Sequence, residues 1–238
     1  TDVSKEAADM ILLDDNFATI VKAIKEGRRI YDNIRKFVKY IMGCNSAEIL
    51  IIFMAPILGL PMPLLPIHIL WINLVTDGLP GLALASEAAE KNIMKRPPRP
   101  TNESIFAGGI AWHIIWVGVL MAAVTLVTQA YSIGTGDPHW QTEVFTVLLL
   151  SQLGHVYAIR SDNEFIFRKG LFTNMPLVGA ILLTFILQLG IIYLPFANDL
   201  FKTQPLTLKE LMACIGVSTI VFFAIEAAKG MRLIFKKK

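Results

Sequence analysis

The chain has 238 residues, of which 54% are apolar and 17% charged, and it carries a formal net charge of +3. So apolar a composition, with its charges gathered in blocks, excludes an ordinary soluble domain and points to an integral membrane protein. It has none of the clustered basic and aromatic residues that a nucleic-acid surface requires, so no nucleic-acid partner is expected. The two cysteines, Cys44 and Cys214, lie inside apolar stretches without metal-type or CxxC spacing and read as packing residues.

In chain order, residues 10–13 read as a short buried strand, and Asp14-Asp15-Asn16 then supplies helix-capping chemistry. Phe17, Ile20, Val21 and Ile24 recur with helical spacing, and Tyr31, Ile34 and Val38 resume the stripe after Gly27. With no turn signal before the first apolar stretch, this predicts one continuous helix entering the membrane from a soluble domain. An interfacial helix lying on the bilayer is the alternative. The beginning is mixed in charge, unlike a signal peptide, and suggests a piece of a longer protein.

Apolar stretches follow at residues 38–60, 64–85, 105–131, 144–159, 177–194 and 208–228. Each is near the roughly 20 residues that a helix needs to cross a bilayer, the fourth only if Gln141 to Glu143 extend it. The expected fold is therefore an all-α membrane protein of six transmembrane helices preceded by a stalk helix, with the lipid bilayer as partner. Residues 61–66, rich in proline, make a tight turn between the first two spans. Basic residues alternate sides: Arg28, Arg29, Arg35, Lys36 and Lys39 precede the first span, and Lys91, Lys95, Arg96 and Arg99 follow the second. Arg160, Arg168 and Lys169 follow the fourth, and Arg232 and Lys236 to Lys238 follow the sixth, whereas the intervening loops hold only Lys202 and Lys209. Both termini are expected on the cytoplasmic side.

An ionisable residue in such spans is a functional signal, because a carboxylate at bilayer depth costs about 2.5–3.5 kcal/mol while a Leu returns about 0.3–0.6. In the second span Asn73, Thr76 and Asp77 stand at i, i+3 and i+4, and on a helix would share one face. Gly78 and Pro80 loosen the helix just beyond them, as in transporter sites. The plain alternative is a polar contact between helices with a tolerated kink. In the first span Asn45 and Glu48 also share a face, and the short turn makes the two spans antiparallel neighbours, so the five residues would meet. Such an oxygen cluster with two carboxylates suits calcium, and proton uptake when the ion leaves is a natural corollary. In the fourth span Gln152 reads equally as ligand or packing residue, while His155 reads as packing, since imidazole suits transition metals better. Glu226 reads as a pairing residue, and Gly118 with Ala122 as a small-xxx-small contact.

Several stretches together carry a family resemblance: Asp14 to Phe17, Glu26-Gly27-Arg28, Asn45 to Glu48, the string from Leu70 to Pro80, and Ile93 to Arg99. Over nearly its whole length the chain resembles the C-terminal part of a P-type cation ATPase, closest to the sarcoplasmic-reticulum type of calcium pump. The resemblance implies that residues 1–20 close the phosphorylation domain and 21–40 form the cytoplasmic stalk. Residues 41–231 would be the fifth to tenth transmembrane helices, and 232–238 a basic tail. It implies Asn45, Glu48, Asn73, Thr76 and Asp77 as calcium ligands. Gln152 stands where two-ion pumps have a glutamate, which leaves one or two ions per cycle open. Calcium is thus the implied transported ion, with manganese, sodium or protons as alternatives, and a membrane ion-binding module working alone as a different class of function.

The sequence contains no Asp-Lys-Thr-Gly or Thr-Gly-Asp-Gly motif, and Thr135-Gly136-Asp137-Pro138 is only a lookalike on an outer loop. ATP and magnesium would therefore be bound by the N-terminal part of the pump, which is the implied partner along with its first four transmembrane helices. The chain alone is expected neither to hydrolyse ATP nor to pump. Its compact loops fit a prokaryotic plasma membrane.

Overall fold

A computed structural model describes residues 1–9, 11–12, 16–100, 102–161 and 164–235. Those residues form helices and connecting turns, with no strand among them. The expected strand at 10–13 rests on residues 10 and 13, which lie outside the described residues; 11 and 12 have no regular structure.

After a short α1 (Asp2–Glu6), α2 runs unbroken from Phe17 to Ile57. Asn16 caps it as the sequence suggests, its side chain accepting the Ala18 N–H at 2.9 Å. At 41 residues the helix is about 60 Å long, so the charged section and the apolar span form one rod. After the turn, α3 (Pro66–Trp71) starts on a proline, whose missing N–H is harmless in a first turn. A π-helical segment, Ile72–Thr76, and α4 (Gly78–Leu84) complete the second rod. Then come α5 (Ile110–Gly134), α6 (Trp140–Ala158), the short α7 (Ile166–Lys169), α8 (Met175–Tyr193), α9 (Pro195–Phe201) and α10 (Leu208–Phe235). The third apolar stretch becomes helical five residues later than its composition suggests. Gly108 and Gly109 take φ of 70° and 87°, a left-handed pair that delays the helix.

Among the described residues, five helical rods are long and apolar enough to cross a membrane: α2, the rod Pro66–Leu84, α5, α8 and α10. Of the six expected spans, α6 is the one that falls outside this set. Gln141, Glu143, Ser151, Gln152 and His155 lower its hydropathy, and most of it is buried against α5 and α10. A helix enclosed by protein does not need an apolar surface.

The most extensive helix packing joins α2 to α5, and Gly118 sits in it with no room for a side chain. A Cβ there would lie 2.8 Å from that of Ser46 and 3.5 Å from the Gly43 carbonyl oxygen. Gly118→Ala is therefore expected to push the two rods apart and destabilise the bundle by about 1–3 kcal/mol, seen as a lower thermal-inactivation temperature in detergent. An unchanged temperature would mean that the crossing is looser than described.

At the basic end, loops and helix ends are fastened to α2. Arg28 donates to the Ile93 and Arg96 carbonyls at 2.8 and 2.7 Å, and Asp32 pairs with Arg96 at 2.7 Å and Arg99 at 3.2 Å. Asn33 donates to the carbonyls of Ala85 and Glu87. The Glu87 side chain is fully buried and receives a two-pronged contact from buried Arg160 at 2.9 and 3.3 Å. Lys169 and Asn174 complete its partners at 3.0 and 2.8 Å. Burial by itself would raise the Glu87 carboxyl, but Arg160, Asn174 and Lys169 outweigh it and hold the group below its ordinary value.

Candidate cation site

The π-helical segment places the polar residues of the second rod. Its diagnostic bond runs from the Asp77 N–H to the Ile72 carbonyl at 2.8 Å, five residues back. Its origin lies in the sequence: Pro80 has no N–H to give the Thr76 carbonyl four residues earlier. That carbonyl accepts instead from the Tyr40 hydroxyl of α2, at 3.0 Å in the buried interface. A tyrosine side chain thus replaces the missing backbone donor and pins the irregular turn to the long rod. Tyr40 escaped the sequence reading, although a proline four residues after a membrane carbonyl signals that some such donor is needed.

The wider turn changes the faces. Asn73, Thr76 and Asp77, expected side by side on a regular helix, divide: Asn73 is on the exposed side, while Thr76 and Asp77 are 0% and 1% exposed. The antiparallel pairing of the first two spans nevertheless brings the two rods together as expected. Asn73 donates from Nδ2 to Glu48 Oε2 at 2.9 Å, and Gln152 of α6 donates from Nε2 to Glu48 Oε1 at 3.0 Å. Gln152 therefore joins the cluster. Asn45, half-buried one turn before Glu48, stays outside this hydrogen-bonded set. His155 points elsewhere, its Nε2 lying 3.1 Å from that of His113, and Glu226 pairs with Lys229.

Buried polar atoms are normally partnered, yet both carboxylate oxygens of Asp77, Thr76 Oγ1 and Gln152 Oε1 have no hydrogen-bond partner. Each Glu48 oxygen accepts one amide and retains acceptor capacity. Glu48 and Asp77 also lie close enough to repel one another. Two carboxylates, one hydroxyl and one amide oxygen are thus buried on the second rod, α2 and α6. Six such oxygens match the lower end of the coordination that calcium takes, and the absence of sulfur or imidazole from the set favours a hard ion.

Residues 61–231 match the family described as "Cation transporting ATPase, C-terminus". A calcium-transporting ATPase of Bacillus subtilis is 42% identical over 231 residues, which cover 96% of this chain and 26% of that protein. The endoplasmic reticulum calcium ATPase srcA of Aspergillus fumigatus is 32% identical, with 96% of this chain and 27% of that protein covered. Calcium-transporting ATPase type 2C member 2 of Mus musculus is likewise 32% identical over 96% of the chain. The chain spans about a quarter of the length of these relatives. An all-helical chain with several apolar membrane rods, a buried oxygen cluster between them and this match over most of its length belongs to the cation-transporting P-type ATPases, as their C-terminal membrane part.

Proposed function

We propose that the chain is the cation-binding transport region of an ATP-driven calcium pump, and that Glu48, Asn73, Thr76, Asp77 and Gln152, with Asn45 at the edge, receive the ion. The observation that carries this reading is the pair of partnerless Asp77 carboxylate oxygens beside Glu48. Such an arrangement is expensive in an empty interior and favourable once a divalent cation occupies it. The ligand class is supported by the calcium-transporting relatives.

In this reading α6 is also a membrane span, the fourth of six, enclosed by its neighbours, and the basic ends of the rods face the cytoplasm. Residues 1–20 complete the phosphorylation domain, 21–40 are the stalk, 41–231 the transport bundle and 232–238 its basic tail. Phosphorylation occurs in the part of the pump outside this chain. The unbroken α2 transmits the resulting movement, since Tyr40 and Glu48, on one rigid rod, both hold the site. Displacing α2 then separates Glu48 from Asp77 and opens the cluster to the other side. The two acids, left without their ion, take up protons for the return.

The functional test is ATP hydrolysis by the full-length protein in vesicles, titrated separately with calcium, manganese, sodium and potassium. Stimulation by micromolar calcium is expected; activation by another cation alone would overturn the ligand assignment. Tyr40→Phe has a distinct expected effect. It leaves the Thr76 carbonyl without its donor, loosens the π-turn, and should raise the calcium concentration for half-maximal hydrolysis about tenfold, or roughly 1.4 kcal/mol. An unchanged calcium dependence would show that the turn does not need that bond.

A further inference from the structure

At the ends of α5, α6 and α10 remote from the basic loops lies a second group of metal-type ligands, separate from the membrane cluster. His139 immediately precedes α6, Asp137 lies in the turn after α5, and Glu210 belongs to the first turn of α10. One ligand atom from each, His139 Nδ1 and a carboxylate oxygen of Asp137 and Glu210, all lie within 4.8 Å of one another. We propose that Asp137, His139 and Glu210 form a binding site for a first-row divalent metal ion, zinc by preference, which fastens the α5–α6 turn to the start of α10.

The two spacings from the imidazole fit such an ion. His139 Nδ1 is 3.6 Å from Asp137 Oδ1 and 3.2 Å from Glu210 Oε2. Tetrahedral zinc with bonds of about 2.0–2.1 Å holds neighbouring ligand atoms about 3.3 Å apart. A second observation points the same way. The Nδ1 atom is buried and makes no hydrogen bond, although a carboxylate oxygen stands 3.2 Å away. The nitrogen stands between two carboxylates, an arrangement in which one ion would be shared by all three.

The carboxylates are already oriented. Asp137 Oδ1 accepts the backbone N–H of His139 at 2.8 Å, and Glu210 Oε2 accepts that of Thr207 at 2.7 Å. Both supporting bonds come from the elements that the ion would join, the kind of outer support that fixes metal ligands. The three side chains are 20–25% exposed, so an ion can enter from water and keep a water molecule as fourth ligand. The imidazole distinguishes this group from the all-oxygen membrane cluster and favours zinc, cobalt or nickel over calcium or magnesium.

Cobalt is the probe, because tetrahedral cobalt absorbs visible light far more strongly than the hydrated ion. The full-length protein, purified without a polyhistidine tag, is titrated in detergent with saturating calcium present to occupy the membrane cluster. One equivalent of cobalt should give the tetrahedral spectrum, which zinc then bleaches. His139→Gln should abolish it, and Asp137→Asn, which keeps an acceptor for the His139 N–H, should weaken cobalt binding at least tenfold. A weak spectrum of the hydrated type in the wild type, or a tetrahedral spectrum that survives in both variants, would overturn the assignment.

Discussion

Asp77→Asn in the full-length protein is expected to abolish calcium-dependent phosphorylation by ATP while leaving the fold intact. Asparagine has almost the same shape, and no hydrogen bond to the Asp77 side chain is lost, since neither carboxylate oxygen has one. What disappears is the charge. Losing one of two buried carboxylates should weaken ion binding by about 3 kcal/mol, roughly a hundredfold or more. A purely structural acid would behave in the opposite way, because removing it would disturb the fold. Here neutralising a buried, unpaired carboxylate relieves a desolvation penalty, so calcium-free thermal stability should be unchanged or higher. Normal phosphoenzyme formation in the variant would remove Asp77 from the site.

The largest expected effect on stability lies at the other end of the rods, at Glu87. Glu87→Ala leaves Arg160, 0% exposed, without its carboxylate in the interior. Breaking a buried pair in this way costs about 3–5 kcal/mol, whereas replacing both partners by apolar groups is often close to neutral. The double variant Glu87→Leu with Arg160→Met should therefore recover much of the loss, which a thermal-inactivation series in detergent would measure. If the two single losses simply added in the double variant, the ion pair would not be the source of the effect. The pH dependence has a definite sign. Because the folded-state value of Glu87 is depressed below its ordinary 4.5, its stabilisation is fully present above that pH and is lost as the pH falls through the depressed value. In Glu87→Ala this acid-side loss should shrink.

Much of this was legible in the sequence because membrane helices are written in runs of apolar residues, and the bilayer leaves few alternatives to a helix. The unbroken α2 follows from Asn16 and the uninterrupted stripe beyond it, and the meeting of Glu48 with Asn73 follows from the short proline turn. Hydropathy weakened where packing replaces lipid as the environment. The polar residues of α6 are buried by α5 and α10, which a count along one segment does not reveal. Regular helical spacing also failed at Asn73, Thr76 and Asp77, because Pro80 converts the turn before it to the wider π form. Tyr40, 36 residues from Thr76, and Arg160, 73 residues from Glu87, act through contacts that no local pattern encodes. Gln152, undecided from its residue type alone, takes its place through a single bond to Glu48.

Equilibrium binding of radioactive calcium to the purified full-length protein, with magnesium in excess and ATP omitted, tests most directly whether the cluster between the first two rods and α6 holds the transported ion. Saturable binding at micromolar calcium in the wild type, lost on Asp77→Asn and unaffected by His139→Gln, is the predicted result. Binding that survives Asp77→Asn with undiminished affinity would contradict the assignment and place the ion elsewhere in the protein.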